Sequence, residues 1–161
     1  MVITINFFMK DNFSIDANVT ITHIRDGKVI GEYAGHNLTT SAGKAGAAAR
    51  INGYGSPAAF TYVGIGTGTT AAAVTDTTLQ TEISSGGGSR AVGTLSIVTT
   101  TVANDTAQVS YLFTFSSSFT VSETAVFNAA SSGTMLNRYV FTGIPVASGD
   151  QLQFIHQFKQ A

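Results

Sequence analysis

The sequence predicts an all-β fold, an antiparallel β-sandwich or jelly roll with one short α-helix over about residues 41–51. Only 11% of the 161 residues are charged, while Thr, Ser, Gly and Ala abound, a skew that favours strands and tight turns over charged amphipathic helices. Several segments alternate apolar and polar residues with the period of a half-covered strand. Clusters of Gly, Asn, Asp and Ser divide those segments at regular spacing, as in two-sheet antiparallel folds. With 43% hydrophobic residues the chain can bury one core, and its length is that of one domain.

From the start, Ile3, Ile5, Phe7 and Met9 share one face opposite Thr4, Asn6 and Lys10, and Asp11-Asn12 forms a polar break. Residues 1–17 are therefore expected to be a strand-like arm ahead of a single domain, 18–161. Two strand-like runs then surround Asp26-Gly27, a strong hairpin signal. Residues 39–53 suit a helix: Thr40 or Ser41 can cap it, Ala fills it and Gly53 can end it in a left-handed turn. Its two interior glycines weaken it. From Gly88 onward strands return, with turns at Ala103-Asn104-Asp105, Ser116 to Ser118, Ser131-Ser132-Gly133 and Ser148-Gly149-Asp150, a spacing that suggests an antiparallel meander. In the clearest runs, Ala107, Val109, Tyr111, Phe113 and Phe115 share one face, as do Leu152, Phe154, His156 and Phe158.

Composition also limits function. Eight basic against nine acidic residues give a net charge of −1, so there is no overall attraction for a nucleic-acid backbone. Cysteine is absent, which excludes disulfides and thiolate metal sites. The apolar start lacks a basic leader and a cleavage site, and no apolar run approaches membrane-spanning length. No nucleic-acid or membrane partner is expected.

Gly64, Gly66 and Gly68 alternate after an apolar run and invite comparison with a phosphate loop. Such a loop needs a Gly-Lys-Ser/Thr end to meet the phosphate charge and the magnesium, and residues 64–70 contain no lysine. Gly43-Lys44 fails too, because Leu38 stands at the first glycine position and Ala45 at the hydroxyl position. No third glycine or βαβ pattern completes a dinucleotide fingerprint. A strand running into a tight Gly/Thr loop is the expectation, with no cofactor.

The run FTYVGIGTGTTAAAVTDTTLQTEI, then SRAVGTLSIVTTTVANDTAQVSYLFTF, VSETAVFNAASSGTMLNRYVF and GDQLQF, resembles a group of small structural proteins of tailed bacteriophages. In that group a Gly-Thr-Gly-Thr loop, a Thr-Asp-Thr-x-Leu turn, a Glu-x-x-x-Phe-Asn-Ala strand and a Gly-Thr-Met-Leu hairpin follow in this order. The preceding HNLTTSAGKAGAAARING resembles the segment these proteins carry before that loop, so the likeness covers roughly residues 18–161. Matching positions include Gly66, Thr67, Gly68, Asp76, Leu79, Glu82, Glu123, Phe127, Asn128, Met135 and Leu136; Gly86-Gly87-Gly88 and the aromatic start depart from the pattern. The resemblance implies a non-enzymatic virion component, assembled in the host cytoplasm. Capsid decoration or cement is the first expectation, with the major capsid protein and further copies of the chain as partners. A tail, collar or fibre module, contacting tail proteins or host glycans, is the alternative. In either case the arm residues Ile3, Ile5, Phe7 and Met9 are expected to add a strand to a neighbouring copy or capsid protein, the alternative being an ordinary first strand of the chain's own sheet.

Side chains that could do chemistry are few. Glu123 shares parity with Val121, Ala125 and Phe127, so it is expected to face inward as a structural carboxylate paired with Arg90, Arg138 or backbone N–H groups. A cell-wall glycan hydrolase would need a second carboxylate about 5–9 Å away, and no placed partner stands out. His23, His36 and His156 lack metal-ligand spacing, so no metal is expected. His156, on an apolar strand face, reads as a satisfied core or interface histidine. No Gly-x-Ser-x-Gly elbow occurs. Tyr33, Tyr54, Phe60 and Tyr62 could form a sugar platform or fill the core.

Overall fold

Asp26 and Gly27 both adopt positive φ, +50° and +72°, and turn β1 (Ile15–Arg25) back into β2 (Lys28–His36), as an Asp-Gly hairpin requires. The computed structural model describes residues 14–160; the arm residues Ile3, Ile5, Phe7 and Met9 lie outside the described residues. Residues 15–17 do not belong with the arm. Ile15, Asp16 and Ala17 already pair with Gln160, Lys159 and Phe158, so the sheet begins three residues before the expected boundary.

The elements that follow are β3 (Leu38–Thr39), α1 (Ser41–Asn52), β4 (Tyr62–Gly66), β5 (Ala91–Val92), β6 (Thr94–Val98), β7 (Thr106–Thr114), β8 (Phe119–Phe127), β9 (Met135–Val146) and β10 (Gln151–Gln160). Among the described residues they form two antiparallel five-stranded sheets, β2-β1-β10-β7-β6 and β3-β9-β8-β4-β5, an all-β sandwich. The expected turns fall between strands, with Asn104, Ser132, Gly133 and Gly149 at positive φ. The expected meander does not form as one sheet. β6–β7 and β8–β9 are hairpins, but the chain changes sheet between β7 and β8 and again between β9 and β10, because two apolar faces must cover each other.

The core lies between the sheets. Ala17, Val19 and Ile21 of β1 and Leu152, Phe154 and Phe158 of β10 meet Val63, Ile65, Val121, Val126 and Ile144 of the other sheet. At roughly 1.5–3 kcal/mol per fully buried large apolar side chain, this core supplies most of the driving force. Ala107 shares the face of Val109, Phe113 and Phe115 as expected but is exposed, because the cover ends before it reaches that end of β7.

Thr40 caps α1: its hydroxyl accepts from the Gly43 N–H at 2.9 Å and donates to the Met135 carbonyl at 2.6 Å. Gly53 ends the helix at φ +71°. The weakening glycines have a use. A Cβ on Gly43 would strike the backbone of Leu136, so glycine lets α1 lie directly on β9.

Candidate functional site

Glu123 explains the glycine loop. Its carboxylate is fully buried and sits in the concavity formed by the end of β4 and residues 79–82. One oxygen accepts from the N–H groups of Gly68 at 3.0 Å and Thr81 at 2.7 Å, the other from the Gln80 N–H at 3.0 Å and Arg138 Nε at 2.9 Å. A Cβ on Gly66 or Gly68 would collide with Glu123 Oε1. The loop is thus an anion cradle of backbone N–H groups, and the anion it holds is the chain's own side chain. Ser122 adds a bond from its hydroxyl to the Gly68 carbonyl at 2.9 Å.

The expected inward orientation of Glu123 is correct as burial, but the parity argument for it needs correction. The β8–β9 pairing shifts register between Val121 and Glu123. Val121 therefore belongs to the inter-sheet core, whereas Ala125 and Phe127 join Leu79, Met135 and Tyr62 in a second apolar cluster. Glu123 lies with the latter, beneath the segment that leads from Gly66 to Ile83. Without the shift a carboxylate would enter the main core, where nothing could solvate it.

Arg138, 3% exposed, joins two carboxylates: Nη2 lies 2.8 Å from Glu123 Oε2 and Nη1 lies 2.8 Å from Asp76 Oδ2. Burial works against the Asp76 charge, but the Ala73 N–H and Arg138 outweigh it and hold that carboxyl below its ordinary range. For Arg138 itself, burial is likewise outweighed by the bonds to Asp76 and Glu123, and its pKa is raised. Arg90 is not a partner of Glu123. It makes a two-pronged pair with Glu82, both contacts 2.7 Å, donates to the carbonyls of Ala129 and Ser132 and stacks 3.4 Å above the Phe127 ring. It fastens the chain after the cradle to the β8–β9 turn.

Two polar clusters escaped sequence reasoning. Thr124 Oγ1 donates to the Gly64 carbonyl, so it must accept from His156 Nε2, 3.1 Å away. His156 Nδ1 then accepts from the amides of Asn37 and Asn137 at 3.4 and 3.5 Å. This fixes a neutral imidazole, and burial lowers its pKa to about 3. The second cluster is Asp150, which binds Arg25 through both oxygens at 2.7 and 2.6 Å and contacts His23 at 3.2 Å. The Arg25 bond, with the Ala147 N–H, holds the Asp150 carboxyl well below the usual range despite burial. Alternation placed His156 on an apolar face, but its polar partners come from three other segments far along the chain.

Among the described residues no group of His, Asp and Glu has the arrangement to hold a metal. The four aromatics do not form a platform: Phe60 and Tyr62 pack against the two apolar clusters, while Tyr33 and Tyr54 stand exposed on β2 and beyond α1. One polar cup of about 320 Å³ opens beside the network, lined by Thr70, Thr75, Thr77, Thr78 and Gln80 together with Asp76 and Arg138. Compared with protein-family models, curated proteins and solved structures, the chain matches none.

Proposed function

We propose that this chain is a non-enzymatic structural component of a tailed-bacteriophage particle, and that it decorates the capsid as a cement protein. The observation that carries the reading is the ordered likeness of four motifs. It gains support from where the matching residues lie: Gly66, Gly68 and Glu123 form the cradle, Asp76 is tied to it through Arg138, and Leu79, Phe127 and Met135 fill the adjoining apolar cluster. A motif set devoted to closing one loop onto one sheet is what a rigid assembly module requires. Glu123, enclosed by donors and shielded from solvent, is unsuited to proton transfer with a substrate. Low charge density suits lasting protein contacts, whose centres are depleted in charge. Binding only the expanded shell would add its free energy to the particle, about 2.7 kcal/mol per site at a hundredfold excess over Kd.

The test is to add the purified chain to expanded, undecorated heads. Saturable binding in hundreds of copies and a higher disruption temperature are expected; heads that bind none would refute the decoration reading. The tail-module reading has one specific observation in its favour, the hydroxyl-lined cup at Asp76 and Arg138, which has the polarity to hold a host glycan. Copy numbers of a few to tens per particle, with glycan binding lost in Thr77→Val, would favour it instead.

A further inference from the structure

α1 ends on the chain's only Asn-Gly pair, Asn52-Gly53. Gly53 stands at φ +71°, and nothing among the described residues lies within 4 Å of where its Cβ would be. Its nitrogen therefore has no side chain beside it, a freedom that glycine alone brings. Beyond the glycine the chain folds back: the Tyr54 N–H donates to Asn52 Oδ1 at 3.0 Å, and the Ser56 N–H to the Gly53 carbonyl at 3.0 Å. The first bond closes a ring across Gly53 and draws the Asn52 carboxamide towards the Gly53 peptide. The last turn of α1 is also lightly held. Among the described residues Gly43 is the one buried residue of the helix, close to its other end, and helix ends open at low free energy.

We infer that Asn52 is a site of self-modification, converting through a cyclic imide to aspartate and isoaspartate. The Gly53 nitrogen attacks Asn52 Cγ and loses its proton to solvent; the Asn52 side-chain nitrogen takes up a proton and leaves as ammonia. Negative charge develops on Oδ1 as the bond forms, and the Tyr54 N–H already donates to that oxygen. Nucleophile and electrophile are neighbours in one chain, so no encounter is needed. Water then opens the imide. Adding at Cγ it leaves aspartate, and adding at the main-chain carbonyl it leaves isoaspartate, with the backbone running through Cγ. No oxidant enters, and water is the sole co-reactant. The other described asparagines lack this arrangement. Val19, Leu38, Asp105, Ala129 and Arg138 follow them, each with a side chain beside the attacking nitrogen. The amides of Asn37 and Asn137 are bound to His156, and the Asp105 N–H, which would have to attack Asn104, is committed to the Val102 carbonyl. The product places a new carboxylate at the C-terminus of α1, where the helix dipole opposes it, and adds a further negative unit to the net charge of −1.

Peptide mapping of the full chain, held folded at mildly alkaline pH, reads the conversion without any substitution. Asn52 should be the first asparagine of residues 14–160 to gain acid, with isoaspartate in excess over aspartate. Its rate should lie within roughly tenfold of that in the chain unfolded by guanidinium, since a fraying helix end is nearly open. Asn52→Gln, which keeps the amide but lengthens the side chain, should remove the early acidic species while leaving thermal unfolding nearly unchanged. Aspartate without isoaspartate would mean direct hydrolysis of the amide. An Asn52 that lags another described asparagine, or that converts only once the chain is unfolded, would mean that the turn is closed to the attack. Each of these results overturns the inference. The readout is on the isolated chain, so it neither uses nor affects the reading of particle attachment.

Discussion

Glu123 is a charge kept where water does not reach it, and its energetics follow from what replaces the water. Three backbone N–H groups and Arg138 supply the hydrogen bonds. Glu123→Ala leaves Arg138 buried with Asp76 as its remaining carboxylate partner, and should cost about 3–5 kcal/mol in denaturant unfolding. Replacing both partners, Glu123→Gln with Arg138→Met, should cost clearly less than the sum of the single changes, because the two fully buried charges leave together and the half-buried Asp76 keeps the Ala73 N–H. Gly68→Ala should destabilise for a different reason: the added methyl occupies the space of the carboxylate. His156 sets a pH dependence. Its pKa is lowered to about 3 when folded, so between about pH 6.5 and 3 the unfolded chain binds a proton that the folded chain refuses. Stability therefore falls as the solution is acidified through that window, by up to about 1.4 kcal/mol per pH unit. Asp76 and Asp150, with lowered values, act in the same direction: their contribution is complete above the unfolded value and is lost as pH falls towards the folded one. Calorimetry at pH 5 in two buffers should show about one proton less taken up on unfolding in His156→Gln than in the native chain.

At the scale of elements, the segment from Gly64 to Ile83 has the composition of a ligand loop and the wiring of a lid. Its N–H groups are already committed, Gly68, Gln80 and Thr81 to Glu123 and Thr70 to the Gln80 side chain. ATP, GTP or NAD with magnesium should give no binding heat in calorimetry, and micromolar affinity for any of them would contradict that wiring. Local signals were the legible ones. The Asp26-Gly27 hairpin, the Thr40 and Gly53 caps and the dry faces of β7 and β10 each depend on residues close in sequence. Partners set by the β8–β9 register were not legible. Parity carried Glu123 to the right depth and to the side of Ala125 and Phe127, but not to that of Val121, because the shift after Val121 leaves no composition signal. Arg90 and Arg138 were equivalent candidates for Glu123 in the sequence, and only the tertiary path of residues 82–90 assigns Arg90 to Glu82. The glycines of α1 looked like a weakness until β9 was found against Gly43.

For the whole molecule, the sandwich and the segment that closes on it should behave as one cooperative unit. The second apolar cluster and the Glu123 network join that segment to β8 and β9, which are themselves central to the core. A ligand-gated loop would instead open at low free energy. Hydrogen exchange of the Gly68, Gln80 and Thr81 amides, compared with that of Phe154 in the middle of β10, measures the difference directly. Exchange of those three amides only through global unfolding, at the same free energy as Phe154 and with their protection lost in Glu123→Ala, is the expected result. Exchange at the rate of an open loop, or protection unaltered when the carboxylate is removed, would contradict a glycine loop built to hold the chain's own anion.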